Sequence, residues 1–246
     1  MSDNAEAILD RYPKARPPLP PQYQRIYERE YKMNREGGSL VTRISSKLES
    51  WMHRRVADAP ADDVLEIGAG TLNQLQYEAP QRRYDIVEPF AVLYEHRPAL
   101  ARIDNIYTDI AEIPPERRYG RITSVAVLEH LSDLPGIVAR SALLLRDEGL
   151  FQAGIPSEGG LLWELAWRTT TGVAYWLRNR LDYAVLMRHE HLNTAVEIET
   201  VVRQFFGVVQ IERFPMPMRQ LSFYSFLAAR RPLRERAAAY LEQRMS

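Results

Sequence analysis

From about residue 60 onward the chain alternates short apolar runs with mixed stretches of helical periodicity. The runs near 63–67, 84–88, 103–107, 121–127, 149–155, 208–214 and 221–229 are rich in Val, Ile, Leu, Tyr and Phe and read as strands. Strands separated by helical stretches predict a mainly parallel sheet covered on both faces. The last two runs are joined only by Pro215-Met216-Pro217-Met218-Arg219-Gln220. That link is too short for a crossover helix, so the final pair is expected to be antiparallel.

Outside this core, residues 1–21 are polar and then proline-rich, and read as a flexible or draped arm. A helix is expected from about Gln22 to Asn34, with Tyr23, Tyr27 and Tyr31 along one face. Gly37-Gly38 breaks it. A second helix is expected from Ser39 to Val56, and a surface helix from Leu233 to Arg244. Residues 157–188 exceed the alternating pattern. They hold three of the four tryptophans and are interrupted by Arg168, Arg178, Arg180 and Arg188.

The first run ends in Val64-Leu65-Glu66-Ile67-Gly68-Ala69-Gly70, a buried strand opening into a Gly-x-Gly turn. Glycines there let backbone approach a nucleotide-like ligand closely. Glu88 ends the next run, at the spacing of an acid that accepts from both ribose hydroxyls. A dinucleotide fingerprint requires a third glycine where Asn73 stands, which disfavours a nicotinamide oxidoreductase. S-adenosyl-L-methionine carries no phosphate but does carry an ammonium group, which Glu66 suits. Asp109, at the end of the third run, can accept from an adenine amino group while Ile110 donates its backbone N–H.

These segments resemble the motifs of class I S-adenosylmethionine-dependent methyltransferases. Leu65-Glu66-Ile67-Gly68-Ala69-Gly70-Thr71 is similar to the first motif, Val87-Glu88-Pro89 to the second and Thr108-Asp109-Ile110 to the third. Ser124-Val125-Ala126-Val127-Leu128-Glu129-His130-Leu131 resembles the fourth, in its small-molecule form. Leu143 to Leu150 resembles the approach to the fifth strand, with Asp147-Glu148-Gly149 where many relatives have Lys-Pro-Gly-Gly. The resemblance implies an α/β, Rossmann-like, doubly wound sheet of seven strands with an antiparallel last strand, an N-terminal helical cap and a helical lid insertion. It implies a cofactor site of Glu66, Gly68, Ala69, Gly70, Glu88, Pro89, Asp109, Ile110, Val127 and Leu128. Tyr31 is expected to close over the cofactor and Arg35 to hold its carboxylate; core packing and solvation are the competing readings. The expected organisation is an arm and cap over 1–60, a cofactor-binding half over 61–156, a lid insertion over 157–193 and the rest of the sheet over 194–246.

Composition narrows the function. Lysines plus arginines equal aspartates plus glutamates at 32 each, which argues against a dedicated nucleic-acid partner. The chain also lacks an Asn/Asp-Pro-Pro-aromatic signature after the fourth strand. It has no cysteine, so neither disulfides nor thiolate chemistry enter. With no apolar leader and no long apolar span, a cytoplasmic protein without a transmembrane segment is expected.

For catalysis, His130 is the first candidate, as a base beside the methyl-transfer site; capping of the next helix is its structural alternative. Glu129 is expected to orient a neighbour. His189 and His191 form a His-x-His expected in an extended segment with both rings on one side. Pocket lining is favoured over a metal site, because two histidines are an incomplete ligand set. Thr194 with Glu197 predicts a capping box. Ser157 and Glu158 are expected to face the pocket. The tryptophan-rich insert reads as a lid, with sugar stacking, a homodimer surface and lipid contact as further readings. The leading function is methyl transfer to a hydroxyl of a small molecule such as a sugar or glycan intermediate. A quinone or phenolic acceptor and a non-catalytic, methyltransferase-like binding module are the alternatives.

Overall fold

The structure is a computed structural model that describes residues 7–33 and 40–245, and the side chains of residues 7–27 and 49–244. Seven strands form one sheet: β1 (Asp63–Ile67), β2 (Arg83–Val87), β3 (Asn105–Tyr107), β4 (Tyr119–Val125), β5 (Leu145–Pro156), β6 (Phe206–Pro215) and β7 (Ser222–Pro232). Their order is β3-β2-β1-β4-β5-β7-β6. The first five are parallel to one another. β7 runs antiparallel to both β5 and β6, and is thus the one reversed strand. Strand order changes direction between β1 and β4, which is where open α/β sheets form a ligand crevice.

The helices are α1 (Pro21–Met33), α2 (Leu40–Ala57), α3 (Leu134–Leu144), α4 (Leu161–Trp167), α5 (Val173–Asn179), α6 (Ala184–Glu190), α7 (Ala195–Phe205) and α8 (Arg234–Met245). On one face α2 packs against β4, β5 and β7, burying Met52 and Val56. On the other, α3, α7 and α8 pack together, and Val138, Ala142, Ile198, Val202, Phe205 and Ala237 join the main core.

The helical links expected between the first strands do not form. Four 3-10 turns take their place: Asn73–Gln76, Ala91–Leu93, Pro98–Arg102 and Ile110–Glu112. Pro80, Pro89, Pro98, Pro114 and Pro115 punctuate these links, and each removes the N–H that a continuing helix needs. The β1–β3 edge is therefore covered by turns.

The N-terminal segment is draped over the fold. Tyr12 is buried, and its hydroxyl donates to Asn193 Oδ1 at 2.9 Å. Lys14 Nζ donates to the Leu192 carbonyl and to Glu197 Oε1, both at 2.8 Å.

Buried charges gather at the end of the sheet away from the crevice. Asp63 is fully buried at the start of β1 and is paired with Arg82 and Arg146. Arg121 on β4 is buried against Glu78 and donates to the carbonyls of Val56 and Ala59 at 3.0 and 2.7 Å. Removing one partner of such a pair is far costlier than replacing both.

The insertion is a helical run: α4, a π-helical turn over Arg168–Gly172, then α5. After α6 the chain returns to the body, where the Ala195 N–H donates to the Glu158 carbonyl at 3.3 Å. The expected capping box is present, with Thr194 and Glu197 bonded reciprocally at the start of α7.

Candidate active site

Two cavities lie at the carboxyl ends of the strands. The first is a cleft of about 1030 Å³ at the β1/β4 switch point. It is lined by Glu66, Gly68, Ala69, Gly70, Glu88, Pro89, Asp109, Ile110 and Val127, together with His130 and His189. Leu128 is not among them. It is fully buried in the 3-10 turn after β4, its side chain joins the core, and its carbonyl accepts from Asn193 Nδ2 at 2.8 Å. The side chain of Tyr31 and all of Arg35 lie outside the described residues.

The turn after β1 takes its shape from two left-handed glycines, Gly68 at φ +71° and Gly70 at φ +51°. They serve different ends. A Cβ on Gly68 would sit 2.6 Å from Val127 Cγ1 and nearer still to Cγ2, so this glycine lets two loops meet. A Cβ on Gly70 would meet nothing within 4 Å and would project into open space. Glu88, buried at the end of β2, accepts from the Gly70 N–H at 2.8 Å with Oε2 and from the Phe90 N–H at 3.0 Å with Oε1. The carboxylate is thereby fixed, and each oxygen keeps further acceptor capacity. Asp109 is exposed at the cleft edge. Its Oδ1 caps the following turn through the Ala111 N–H at 2.7 Å, leaving Oδ2 toward other donors.

Glu66 is buried at the end of β1 and accepts from the Tyr84 hydroxyl at 2.8 Å. Among the described residues no basic side chain pairs with it. Burial pushes its carboxyl up to about 8, against the hydrogen bond from Tyr84 and the charge of Arg121, and with help from the charges of Glu78 and Glu88. A buried carboxyl that faces a cleft with no directly paired cation among the described residues has the chemistry to receive a cationic group.

The second cavity, about 570 Å³, lies under the insertion. Its walls include Met52, Trp163, Trp167, Tyr183, Phe223 and Tyr224, with Glu49, Glu129 and His191 as polar members. Glu129 is buried and Oε2 has no hydrogen-bond partner. Burial raises its carboxyl above the ordinary range against the pull of His130 and His191. Its main-chain carbonyl accepts from the N–H groups of Leu192 and Asn193, so the backbone of Glu129 anchors the segment after α6.

His130, Ala126 and Glu49 line both cavities. His130 Nδ1 lies 2.8 Å from the Glu190 carbonyl oxygen. A carbonyl only accepts, so Nδ1 carries the proton and Nε2 is left as the acceptor nitrogen. Ala126 holds a left-handed backbone at φ +54°, unusual for a residue with a Cβ, and its N–H donates to the Gly154 carbonyl at 2.8 Å.

His189 and His191 part company. The segment is not extended, because α6 continues through Glu190. His189 faces the first cleft, with Nδ1 donating to the Pro17 carbonyl at 2.6 Å and its ring edge-on to Tyr27. His191 faces the second cavity, edge-on to His130 at 4.8 Å between ring centroids, and hydrogen-bonds to Glu158. Burial alone would lower its pKa, but the bond and charge of Glu158, with the charges of Glu129 and Glu190, raise it above the ordinary value. Glu158 also accepts from Trp163 Nε1 at 2.7 Å, so it braces the cavity wall. Ser157 turns away from the pocket and bonds to Ser222 inside the sheet. Among the described residues no group of three or more His, Cys, Asp or Glu is placed to hold a metal ion.

His53 was not singled out by the sequence. It lines the first cleft, with Nδ1 2.8 Å from Gln74 Oε1, and burial lowers its pKa. A lone histidine inside a helix gives no signal of this kind.

A parallel sheet reversed at one strand, with acids at successive strand ends around a Gly-x-Gly turn, defines the class I S-adenosylmethionine-dependent methyltransferase fold. A family model described as "Methyltransferase domain" matches residues 27–204, and the chain belongs to this family. The solved structures it resembles agree. The N-methyltransferase NodS from Bradyrhizobium japonicum WM9, in complex with S-adenosyl-L-homocysteine, matches at 14% identity and a TM-score of 0.53, over 94% of this chain and 100% of that one. An O-methyltransferase family protein from Burkholderia thailandensis matches at 14% identity and a TM-score of 0.51, over 75% of this chain and 56% of that one. A putative O-methyltransferase from Nostoc punctiforme PCC 73102 matches at 15% identity and 0.51, over 74% and 55%. The chain thus spans little more than half the length of the latter two. At such identities these likenesses carry the fold and not the acceptor. A search of curated protein sequences finds no match.

Proposed function

We propose that the protein transfers a methyl group from S-adenosylmethionine to a hydroxyl of a small molecule, with the cofactor in the first cleft and the acceptor in the second. The open space at Gly70, the buried carboxyl of Glu66, which makes no direct ion pair among the described residues, and the fixed carboxylate of Glu88 fit the cofactor's amino-acid and ribose parts. In this reading Glu66 takes the ammonium group, Glu88 the ribose hydroxyls, and Asp109 with the Ile110 N–H the adenine. Pro89 and Val127 supply walls. When bound, the cofactor supplies an electrophilic methyl carbon on a cationic sulfur.

The observation that carries the proposal is His130 in the partition between the two cavities, its protonated Nδ1 held by a carbonyl. Nε2 is then free to accept the proton of an acceptor hydroxyl as that oxygen is alkylated. Glu129 Oε1 stands 3.7 Å from Nε2 and stabilises the ring once it is charged. Holding the reacting groups together and away from water supplies the rest of the acceleration. Proton abstraction fits a hydroxyl acceptor, whose oxygen must shed its proton as it is methylated. The aromatic walls favour an acceptor with a flat apolar face, either a phenolic ring or the apolar face of a sugar ring.

The test is a transfer assay with S-adenosylmethionine labelled in its methyl group against panels of phenols and glycosides, run beside calorimetric titration of the cofactor. Label on acceptor oxygen supports the assignment. Tight cofactor binding with label only on nitrogen or carbon overturns the hydroxyl reading. Absence of cofactor binding overturns the site itself.

A further inference from the structure

The helical run 161–179 is apolar on two sides, and folding explains only one of them. Trp163 and Trp167 turn inward and line the second cavity, with exposed Thr170 at its edge. On the outside, Leu161, Leu165, Trp176 and Leu177 are 69, 59, 51 and 59% exposed, and Val173 is exposed with them. A surface helix ordinarily turns polar residues to that side. The stripe continues onto the neighbouring turn Arg219–Leu221, which packs on α4 and leaves Leu221 exposed.

Cations accompany the stripe. Arg168 lies in the π-helical turn with its guanidinium 5.0 Å from the Trp167 ring centroid and its Nε donating to Glu164 Oε2 at 3.1 Å. Arg180 ends α5 with its guanidinium 4.6 Å from that of Trp176. Arg178 lies in the last turn of the same helix. An apolar stripe edged by arginines whose guanidinium groups lie over tryptophan rings matches the boundary of an anionic lipid surface: apolar side chains enter the acyl region and guanidinium groups meet headgroup phosphates. Among the described residues no helix is long and apolar enough to cross a membrane, so contact through this face would be peripheral.

We propose that the outer face of residues 161–179 docks on an anionic membrane surface. The second cavity is lined by Trp163 and Trp167 of the same run, so docking brings it near the acyl region and, on the proposed reading of that cavity as the acceptor site, selects amphiphilic acceptors dissolved in the bilayer.

The experiment is flotation of the full-length protein with vesicles of phosphatidylcholine alone and of phosphatidylcholine with phosphatidylglycerol, at low and high salt. Wild-type protein is expected to float with the anionic vesicles and to be released by salt. Leu165→Glu with Leu177→Glu should weaken vesicle affinity by at least about tenfold, since both side chains leave the acyl region. These side chains are solvent-facing, and an unchanged calorimetric affinity for S-adenosylmethionine will show that the variant is folded. Flotation of neither mixture, or equal flotation of variant and wild type, overturns the proposal. A wild-type dimer in sedimentation velocity that the same variant dissociates, with no flotation, assigns the face to a second copy and also overturns it. The readout is lipid binding, so its failure leaves the methyl-transfer assignment untouched.

Discussion

The imidazole of His130 is held by the main chain of Glu190, 60 residues away, at 2.8 Å from Nδ1 to the carbonyl oxygen. One ring nitrogen is thereby committed and the other is left for chemistry. The Glu190 carboxylate stands farther off, with Oε2 3.6 Å from the same nitrogen, so the carbonyl makes the shorter contact.

Replacing His130 with alanine should lower turnover by about 10²–10⁴-fold, the usual worth of a positioned general base. Cofactor affinity should stay close to wild type, because Glu66, Glu88 and Asp109 are untouched. Glu190→Ala keeps the carbonyl and should retain most of the turnover. Steady-state kinetics beside calorimetry reads both, and full activity in His130→Ala removes this histidine from the mechanism.

With the cofactor's ammonium group on Glu66, as proposed, binding should depend on pH. The Glu66 carboxyl, raised to about 8, is protonated at neutral pH, and an arriving ammonium group favours the ionised form. Below that value binding releases a proton, so affinity should rise with pH and level off above it. The slope should approach tenfold per pH unit, about 1.4 kcal/mol. Glu66→Gln should bind more weakly and lose this component of the slope. Titrations in buffers of different ionisation enthalpy count the released proton.

The two glycines of the first turn should separate stability from binding. Gly68→Ala forces a Cβ into Val127 and should destabilise the fold by about 1–3 kcal/mol through overpacking, beyond its backbone strain. Gly70→Ala meets no neighbour, so its cost should be confined to the left-handed backbone, about 1–2 kcal/mol. Its main effect should fall on cofactor affinity. Urea unfolding compared with calorimetry distinguishes the two, and Val127→Ala should partly rescue Gly68→Ala.

The His191–Glu158 pair should appear in the pH dependence of stability. The folded-state pKa of His191 is raised, so the pair stabilises the fold in full below the unfolded imidazole value of about 6.5. That contribution fades as pH rises through the higher folded value. Glu158→Gln keeps an acceptor for Trp163 but removes the charge. Its deficit against wild type, roughly 1–3 kcal/mol in acid, should shrink as pH rises. A deficit that does not change with pH would refute a charged pair.

Much of this arrangement was legible in the chain because it rests on local chemistry. Apolar runs gave the strands, and Glu66, Glu88 and Asp109 stand at three successive strand ends in one cleft. The Thr194–Glu197 box was readable for the same reason. What escaped depends on tertiary partners. A carbonyl that fixes His130 has no signature, since every residue carries one. His189 and His191 separate because α6 runs on to Glu190, and Leu128 turns inward because a 3-10 turn follows β4. The first links form no helices because prolines interrupt them, a local rule outweighed in the reading by the regular alternation of strands.

The insertion leaves the body after Glu158 and rejoins it at Ala195, and these two residues are hydrogen-bonded to each other at 3.3 Å. A segment whose ends already touch can be exchanged for one of different length without reopening the sheet. Its exchange would rebuild much of the wall of the second cavity and keep Glu66 on β1 and Glu88 just after β2, while His130 would need a new carbonyl in the place of that of Glu190. The second cavity can therefore be reshaped by recombination at a single locus, while the strand-end acids Glu66, Glu88 and Asp109 are inherited unchanged.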